Sequence, residues 1–327
     1  MNKLTDQEVS LGCNKIHAIF EEAHKVVVGQ NKMLERLMMG LLSDGHILLE
    51  GLPGLAKTLA IKTMAQVISC PFNRVQFTPD LLPSDLIGTM IYNQKTNEFT
   101  PKKGPIFTSI LLADEINRAP AKVQSALLES MAEKQVTIGD ETHKLNDPFI
   151  VLATQNPIEQ EGTYILPEAQ MDRFMFKVHV DYPKSDEEKL ILERFTSGEK
   201  PYEIKKLLSG EEIRELRNLV SRVYLDENIK DYIIAIVFST REPSKYNLAS
   251  LKNFIKIGAS PRATLFLAKA AKVQAFLRGR SFVTPDDIKN IAYDVLRHRI
   301  ITTYEAEAEG SSSEDIIKKV FETVPVP

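Results

Sequence analysis

The order of apolar and polar positions begins with helix and then turns to a strand-helix rhythm. Thr5 and Glu8 stand at capping-box spacing before a helical stretch that reaches about Lys25. Val26-Val27-Val28-Gly29-Gln30 breaks the pattern, and Asn31 is placed to cap a second helix through Leu42. His46-Ile47-Leu48-Leu49-Glu50 is a short apolar run of the kind a buried parallel strand needs. Leu59 to Ile68 then reads as a helix and Arg74 to Phe77 as the next strand. Further apolar runs lie at Ile110 to Ala113 and Phe149 to Ala153, with a helix from Ala121 to Glu133 between them. Phe174 to Val180 alternates as a strand does. Strands alternating with helices predict a parallel sheet covered on both faces.

From Ser185 onward helical segments dominate: Asp186 to Phe195, Glu211 to Tyr224, Asp226 to Phe238, Arg262 to Leu277 and Pro285 to His298. Thr284-Pro285-Asp286-Asp287 is a good helix start, with a hydroxyl cap, proline in the first turn and acids near the positive end. The boundary is therefore expected near Tyr182 to Ser185, dividing the chain into an α/β core, 1–183, and a helical domain, 184–327. The polar stretch Glu305 to Ser313 is expected to be mobile ahead of a last short helix. No internal repeat or long low-complexity tract interrupts this plan.

With 327 residues, 43% of them apolar and 26% charged, the chain can bury a real core and is long enough for two domains or one large one. A formal net charge of -3 provides no general field for nucleic acid or an acidic membrane surface. Cys13 and Cys70 are far apart in sequence, which argues against a disulfide framework or a zinc site and for reduced thiols in the cytoplasm. The opening MNKLTDQEVS has no long apolar run behind it, so neither a signal peptide nor a membrane span is expected. The six histidines lack metal-ligand spacing and no G-x-S-x-G elbow occurs, which removes metalloprotease and serine-hydrolase readings.

Chemistry concentrates in Gly51-Leu52-Pro53-Gly54-Leu55-Ala56-Lys57-Thr58, which approximates the phosphate loop G-x-x-x-x-G-K-[ST]. Small residues let backbone N–H groups turn inward around phosphate oxygens, and the following helix, opening toward Leu59, adds its positive end. Lys57 would reach the outer phosphates, and Thr58 would offer its hydroxyl to Mg2+. Ala56 departs from the pattern, because alanine stays small but penalises a positive φ. A chance glycine-rich turn is the bland alternative; the strand before, the helix after and the closing Lys-Thr weigh against it. Ile110-Leu111-Leu112-Ala113-Asp114-Glu115 is the natural partner, carrying two acids to the carboxyl end of a strand, where open α/β sheets bind ligands. Asp114 would hold Mg2+ largely through water, and Glu115 would orient or deprotonate an attacking water. Solvated acids at a strand end are common alone, but beside a phosphate loop they point to a Mg2+-dependent ATPase with ATP as substrate.

Four further segments carry a family resemblance: Asp114-Glu115-Ile116-Asn117-Arg118-Ala119-Pro120, Ala153-Thr154-Gln155-Asn156-Pro157, Glu168-Ala169-Gln170-Met171-Asp172-Arg173-Phe174 and Gly258-Ala259-Ser260-Pro261-Arg262-Ala263. Together they resemble MoxR-type AAA+ ATPases of the helix-2-insert branch, over nearly the whole chain to Val324-Pro325-Val326-Pro327. Each motif alone is weak; the set is specific, and the family tends to carry Ala before the loop lysine, as Ala56 does here. The resemblance implies a P-loop AAA+ core with a parallel sheet between helices, followed by an all-helical lid. It implies that Asn156 is sensor 1, near the γ-phosphate and the attacking water. Read independently, Asn156 is a polar residue just past a buried strand, and an ordinary loop asparagine is the alternative. Arg173 resembles the arginine finger that completes a neighbouring subunit's site, and Arg262 resembles sensor 2 at the start of a lid helix. Without the other motifs both would read as surface arginines. Val28-Gly29-Gln30 resembles the segment beside the adenine ring, with a plain helix-helix turn as an equal reading.

Pro79 to Pro105 resembles the helix-2 insertion, and Gln135 to Leu145, centred on Gly139-Asp140, reads as a hairpin before sensor 1. Related machines touch their clients with such hairpins; decorative surface loops are the alternative. The resemblance implies a homo-oligomeric ring, a hexamer, that remodels or matures client proteins in complex assembly or metal insertion. It also implies a partner with a von Willebrand factor A domain. Two other functions compete. A nucleic-acid motor would carry exposed Lys, Arg and aromatic residues on its hairpins, and Lys102, Lys103 and Lys134 provide little of that. A nucleotide-gated switch with negligible turnover sits poorly with intact Glu115, Asn156 and Arg173.

Overall fold

Thr5 and Glu8 cap the first helix reciprocally: the Thr5 hydroxyl accepts from the Glu8 N–H at 3.2 Å, and the Glu8 carboxylate accepts from the Thr5 N–H at 2.8 Å. The computed structural model describes residues 4–95, 97–157, 164–196 and 202–327. Helix α1 spans Asp6–His24 and α2 spans Asn31–Ser43. The start of α2 differs from expectation. Gly29 and Gln30 both take positive φ, 65° and 56°, so Gln30 occupies the cap position without a side-chain bond and Asn31 falls inside the first turn. A left-handed pair reverses the chain there, which a capping asparagine in extended conformation would not.

Strand β1 (Ile47–Glu50) leads through the loop into α3 (Lys57–Val67), two residues earlier than the apolar pattern suggested. Then come β2 (Phe72–Gln76), short α4 (Pro83–Ile87) and a hairpin of β3 (Gly88–Asn93) and β4 (Glu98–Lys103). Next are β5 (Ile110–Asp114), α5 (Ala121–Glu133) and a second hairpin, β6 (Gln135–Ile138) with β7 (Glu141–Lys144). The two hairpins fall within the expected insertion and the expected hairpin segment; Gly139 turns the second at φ 62°. β8 (Ile150–Gln155), α6 (Glu168–Met171) and β9 (Phe176–His179) follow.

Five of these strands form one sheet in the order β2-β5-β8-β1-β9, and the ladders β2/β5, β5/β8 and β1/β8 are parallel. Ile47, Leu48, Ile110 to Ala113 and Ile150 to Ala153 are fully buried, which explains their uninterrupted apolar runs. The registers Gln76↔Asp114 and Glu50↔Gln155 bring the polar ends of β2, β5, β8 and β1 to one carboxyl edge.

Beyond the sheet lie α7 (Ser185–Thr196), α8 (Gly210–Ser221), α9 (Glu227–Ser239), β10 (Ile255–Ile257), α10 (Pro261–Leu277), α11 (Pro285–Leu296), β11 (Ile301–Thr302), α12 (Tyr304–Ala308) and α13 (Ser313–Thr323). The region is helical except for the antiparallel pair β10/β11. Thr284 stands at the expected start of α11 and forms a capping box with Asp287, whose carboxylate accepts from the Thr284 N–H at 2.8 Å. The stretch Glu305 to Ser313 is not simply loop. Thr303 caps α12 by accepting from the Ala306 N–H at 3.2 Å, and Ala306 is fully buried. A single buried alanine and a threonine cap make a turn of helix that overall polarity conceals.

The chain divides into two compact units. One comprises residues 17–166 and 178–214 and holds β1, β2, β5 and β8. The other comprises the residues up to Ile16, Pro167–Lys177 and Glu215–Pro327. Its core includes Leu267, Ala270, Ala271 and Phe276 of α10, Ile288, Ile291 and Val295 of α11, and Ile316 and Ile317 of α13, all buried completely. Among the described residues no helix is long and apolar enough to cross a membrane.

Candidate functional site

The loop after β1 is shaped by three small residues with different tasks. A Cβ on Gly51 would stand 2.7 Å from the Val180 carbonyl oxygen, so only glycine lets the loop pass β9's end. Gly54 has φ 86° and open space around it, so its requirement is conformational. Ala56 adopts φ 55°, ψ 20° as the cap position of α3, accepting the left-handed strain that alanine carries. No side chain caps α3, and its first N–H groups face the loop as a ready anion site. The Lys57 ammonium donates to the Gly51 carbonyl at 2.7 Å. Burial pushes its pKa below the ordinary lysine value, and the charges of Asp114 and Glu115 pull it back up.

A cavity of about 350 Å³ opens at this point. It is lined by the segment Pro53 to Leu59, including Lys57 and Thr58, and by Arg74, Asp114, Glu115, Thr154 and Asn156. Lys57, Thr58, Asp114, Glu115 and Asn156 thus meet around one cavity together with the loop segment from Pro53. The carboxylates are held by a polar network. The Thr154 hydroxyl donates to Asp114 Oδ1 at 2.5 Å and accepts from the Glu115 N–H at 2.8 Å. Arg74 donates to Asp114 Oδ2 through Nε at 3.0 Å and Nη2 at 2.7 Å. Gln76 donates to Glu115 Oε2 at 2.7 Å, and Arg118 Nε lies 3.1 Å from the same oxygen. Glu115 itself has φ 57°, a conformation its N–H bond to Thr154 helps to hold.

The donors fit Mg2+. The Thr58 hydroxyl and the Asp114 carboxylate line one cavity and would offer hard oxygen donors, next to an anion site that would bring phosphate oxygens. An anion cradle facing two carboxylates can polarise a phosphoanhydride and activate water against it.

Gly51 and Leu52 line a second cavity of about 340 Å³ with Glu50, Leu55, His179 and Asp181. Gln30 donates to the Asp181 carbonyl at 3.2 Å, which places Val28-Gly29-Gln30 beside that cavity and outside the first. Arg173 and Arg262 belong to the other compact unit. There, Arg262 Nη1 lies 3.7 Å from Asp172 Oδ2, and the Arg262 side chain is 46% exposed.

Sequence reading missed Arg74, Gln76, Arg118 and Thr154. Arg74 and Gln76 are two apart and so share a face of β2 beside β5, a signal present in the residues but useless until strand order is known. Thr154 sits inside a quoted motif, yet nothing in its identity said which carboxylate it would contact.

Residues 46–176 match the family model of the ATPases associated with various cellular activities, and residues 250–320 match the AAA lid domain. The chaperone MoxR1 of Mycobacterium tuberculosis is 49% identical over 310 residues, covering 95% of this chain and 81% of that one. The protein MoxR of Paracoccus denitrificans is 31% identical, covering 95% and 97%. A crystal structure of a Cytophaga hutchinsonii protein described as an ATPase superimposes with a TM-score of 0.93 at 52% identity, over 98% of this chain and 97% of that one.

Proposed function

The chain belongs to the MoxR family of AAA+ ATPases, and from that membership we propose a Mg2+-dependent motor that remodels or matures partner proteins. Nucleotide binding, ATP hydrolysis and a general chaperone role come with the family; the residue roles, the metal, the assembly and the client task are our reading. The observation that carries it is the meeting of Lys57, Thr58, Asp114, Glu115 and Asn156 around one cavity.

In this reading Gly51 to Leu59 wrap the triphosphate with backbone N–H groups, and Lys57 leaves the Gly51 carbonyl to reach the outer phosphates. Thr58 and Asp114 hold Mg2+, whose charge neutralises that developing on the transferring phosphoryl group. Glu115 takes or orients the proton of the attacking water, and Asn156 positions that water against the γ-phosphate. Val28, Gly29 and Gln30 flank the adenine side. Residues 1–183 act as the motor core and 184–327 as the lid. Arg262 senses nucleotide from the lid, and Arg173 completes the site of the next protomer. A head-to-tail contact of that kind is heterologous and must close, so the working unit is a ring, a hexamer. The exposed Tyr92 and Phe99 of the β3/β4 hairpin support a client-touching role in complex assembly or metal insertion, with a von Willebrand factor A domain protein as partner. Two buried thiols, Cys13 and Cys70, support a cytoplasmic setting.

The test separates roles. Lys57→Ala should weaken ATP binding and turnover together, whereas Glu115→Gln should bind ATP and retain it unhydrolysed. Equal loss of nucleotide affinity in both would refute the assignment. Mixing Arg173→Ala subunits with Lys57→Ala subunits should restore activity, because some interfaces then combine an intact loop with an intact finger. Inactive mixtures that demonstrably co-assemble would refute a finger acting in trans.

A further inference from the structure

Arg299 is a cation whose side chain has no exposed surface. Its five N–H groups meet five acceptors. Nε donates to Asp172 Oδ1 at 2.8 Å, and Nη2 donates to the Asp172 carbonyl at 3.0 Å and to the Phe174 carbonyl. Nη1 donates to the Met175 carbonyl at 3.3 Å and to the Val295 carbonyl. Burial draws its pKa down to about 10 while Asp172 supports the charge, so it stays cationic near neutrality. With every donor engaged, Arg299 has none left for a ligand. The residues before it act on the same segment: His298 Nε2 lies 3.0 Å from the Phe174 carbonyl, and Arg297 donates to the Lys177 carbonyl at 3.0 Å. Three consecutive side chains after α11 therefore clasp the backbone on both sides of Arg173.

Asp172 extends this clasp to α10. Its carboxylate accepts from the Ser260 hydroxyl at 2.8 and 2.9 Å. Ser260 is the cap of α10, accepting in turn from the Arg262 N–H at 3.1 Å. One carboxylate thus joins a buried cation, the residue beside Arg173 and the helix start that carries Arg262. We propose that Asp172, Ser260 and Arg299 form a positioning junction that mounts Arg173 and Arg262 on one support, so that the two arginines engage nucleotide as a unit. This rests on the reading of Arg173 and Arg262 as residues directed together at the next protomer's nucleotide.

The experiment uses Arg299→Lys, which keeps the charge but cannot reach five acceptors, and Ser260→Ala, which frees α10 from Asp172 and leaves Arg299 untouched. Steady-state ATPase rates are compared with affinity for a fluorescent ATP analogue in the full-length assembled protein. Arg299→Lys should lose about 10²-fold in kcat, the scale of a misplaced catalytic group, with KM and analogue affinity within about twofold of wild type. Ser260→Ala should lose less, and Ser260→Thr, which restores the hydroxyl, should recover. Mixed with Lys57→Ala subunits, Arg299→Lys should regain activity; mixed with Arg173→Ala subunits, it should not. Unchanged kcat, a loss of analogue affinity in step with kcat, or rescue by Arg173→Ala would overturn the junction. Should Arg299→Lys fail to fold, Ser260→Ala against Ser260→Thr decides, and equal kcat in those two overturns it. The Arg173→Ala and Lys57→Ala mixture is the control. If it stays inactive, the trans reading of Arg173 fails, and the junction is then judged by the serine pair alone.

Discussion

Replacing Arg74 with alanine should lower the Mg2+ concentration that half-saturates the ATP-loaded protein by about fivefold. The reason is competition for one carboxylate oxygen. Arg74 places two charge-assisted donors, at 3.0 and 2.7 Å, on Asp114 Oδ2, lone pairs that a metal on this carboxylate would have to share. Asp114 has only 14% of its side chain exposed, but Arg74 has 49%, so the pair is partly screened. Exposed ion pairs contribute about 0.2 to 1 kcal/mol, and two aligned bonds put this one near the upper end. About 1 kcal/mol is roughly a fivefold change in an equilibrium constant. The measurement is a Mg2+ titration of nucleotide fluorescence at saturating ATP, in a Glu115→Gln background that prevents turnover. Arg74→Lys should fall between wild type and alanine, and added salt should shrink the differences. A midpoint that is unchanged or raised by Arg74→Ala would show that Arg74 does not hold Asp114 against the metal.

The half-buried Lys57 has a depressed pKa before nucleotide arrives, and bound phosphate should raise it. ATP binding should therefore take up a proton at alkaline pH and not near neutrality, seen as a buffer-dependent heat in calorimetry that Lys57→Arg abolishes. Gly51→Ala should reduce ATP affinity more than Gly54→Ala reduces stability, because its Cβ meets the fixed Val180 carbonyl at 2.7 Å while Gly54 faces only φ strain of about 1–2 kcal/mol. Comparable nucleotide affinity in Gly51→Ala and wild type would refute the close-approach argument. His298 is buried, and desolvation holds its pKa well below the ordinary value, so the unfolded chain binds the extra proton first. Its contribution is complete above about pH 6.5 and falls with acid by at most about 1.4 kcal/mol per pH unit. His298→Gln should flatten the denaturation midpoint between pH 6.5 and 5, and an unchanged slope would be evidence against the buried neutral ring.

Local chemistry was written plainly in the sequence. A glycine-rich turn between an apolar run and a helix can hardly be anything but a tight loop at a sheet edge, and Ile110 to Glu115 states its burial and its two acids in six residues. The ends of α5 and the caps at Thr5 and Thr284 were legible for the same reason: they depend on neighbours three or four positions away. Conformations that break local preference were harder to see. Ala56 and Glu115 take left-handed backbone angles, and Gln30 displaces Asn31 from its cap, because surrounding structure overrides propensity. What only tertiary structure decided is which distant groups meet. Arg74 and Gln76 reach the acids because β2 pairs with β5, and Thr154 reaches Asp114 because β8 pairs with β5 on the other side. The clasp of Arg299 on Asp172 joins residues 127 apart along the chain. Periodicity and capping report energies set within a turn or a strand; strand order and the pairing of buried charge are set by the whole fold, and no window of sequence contains them.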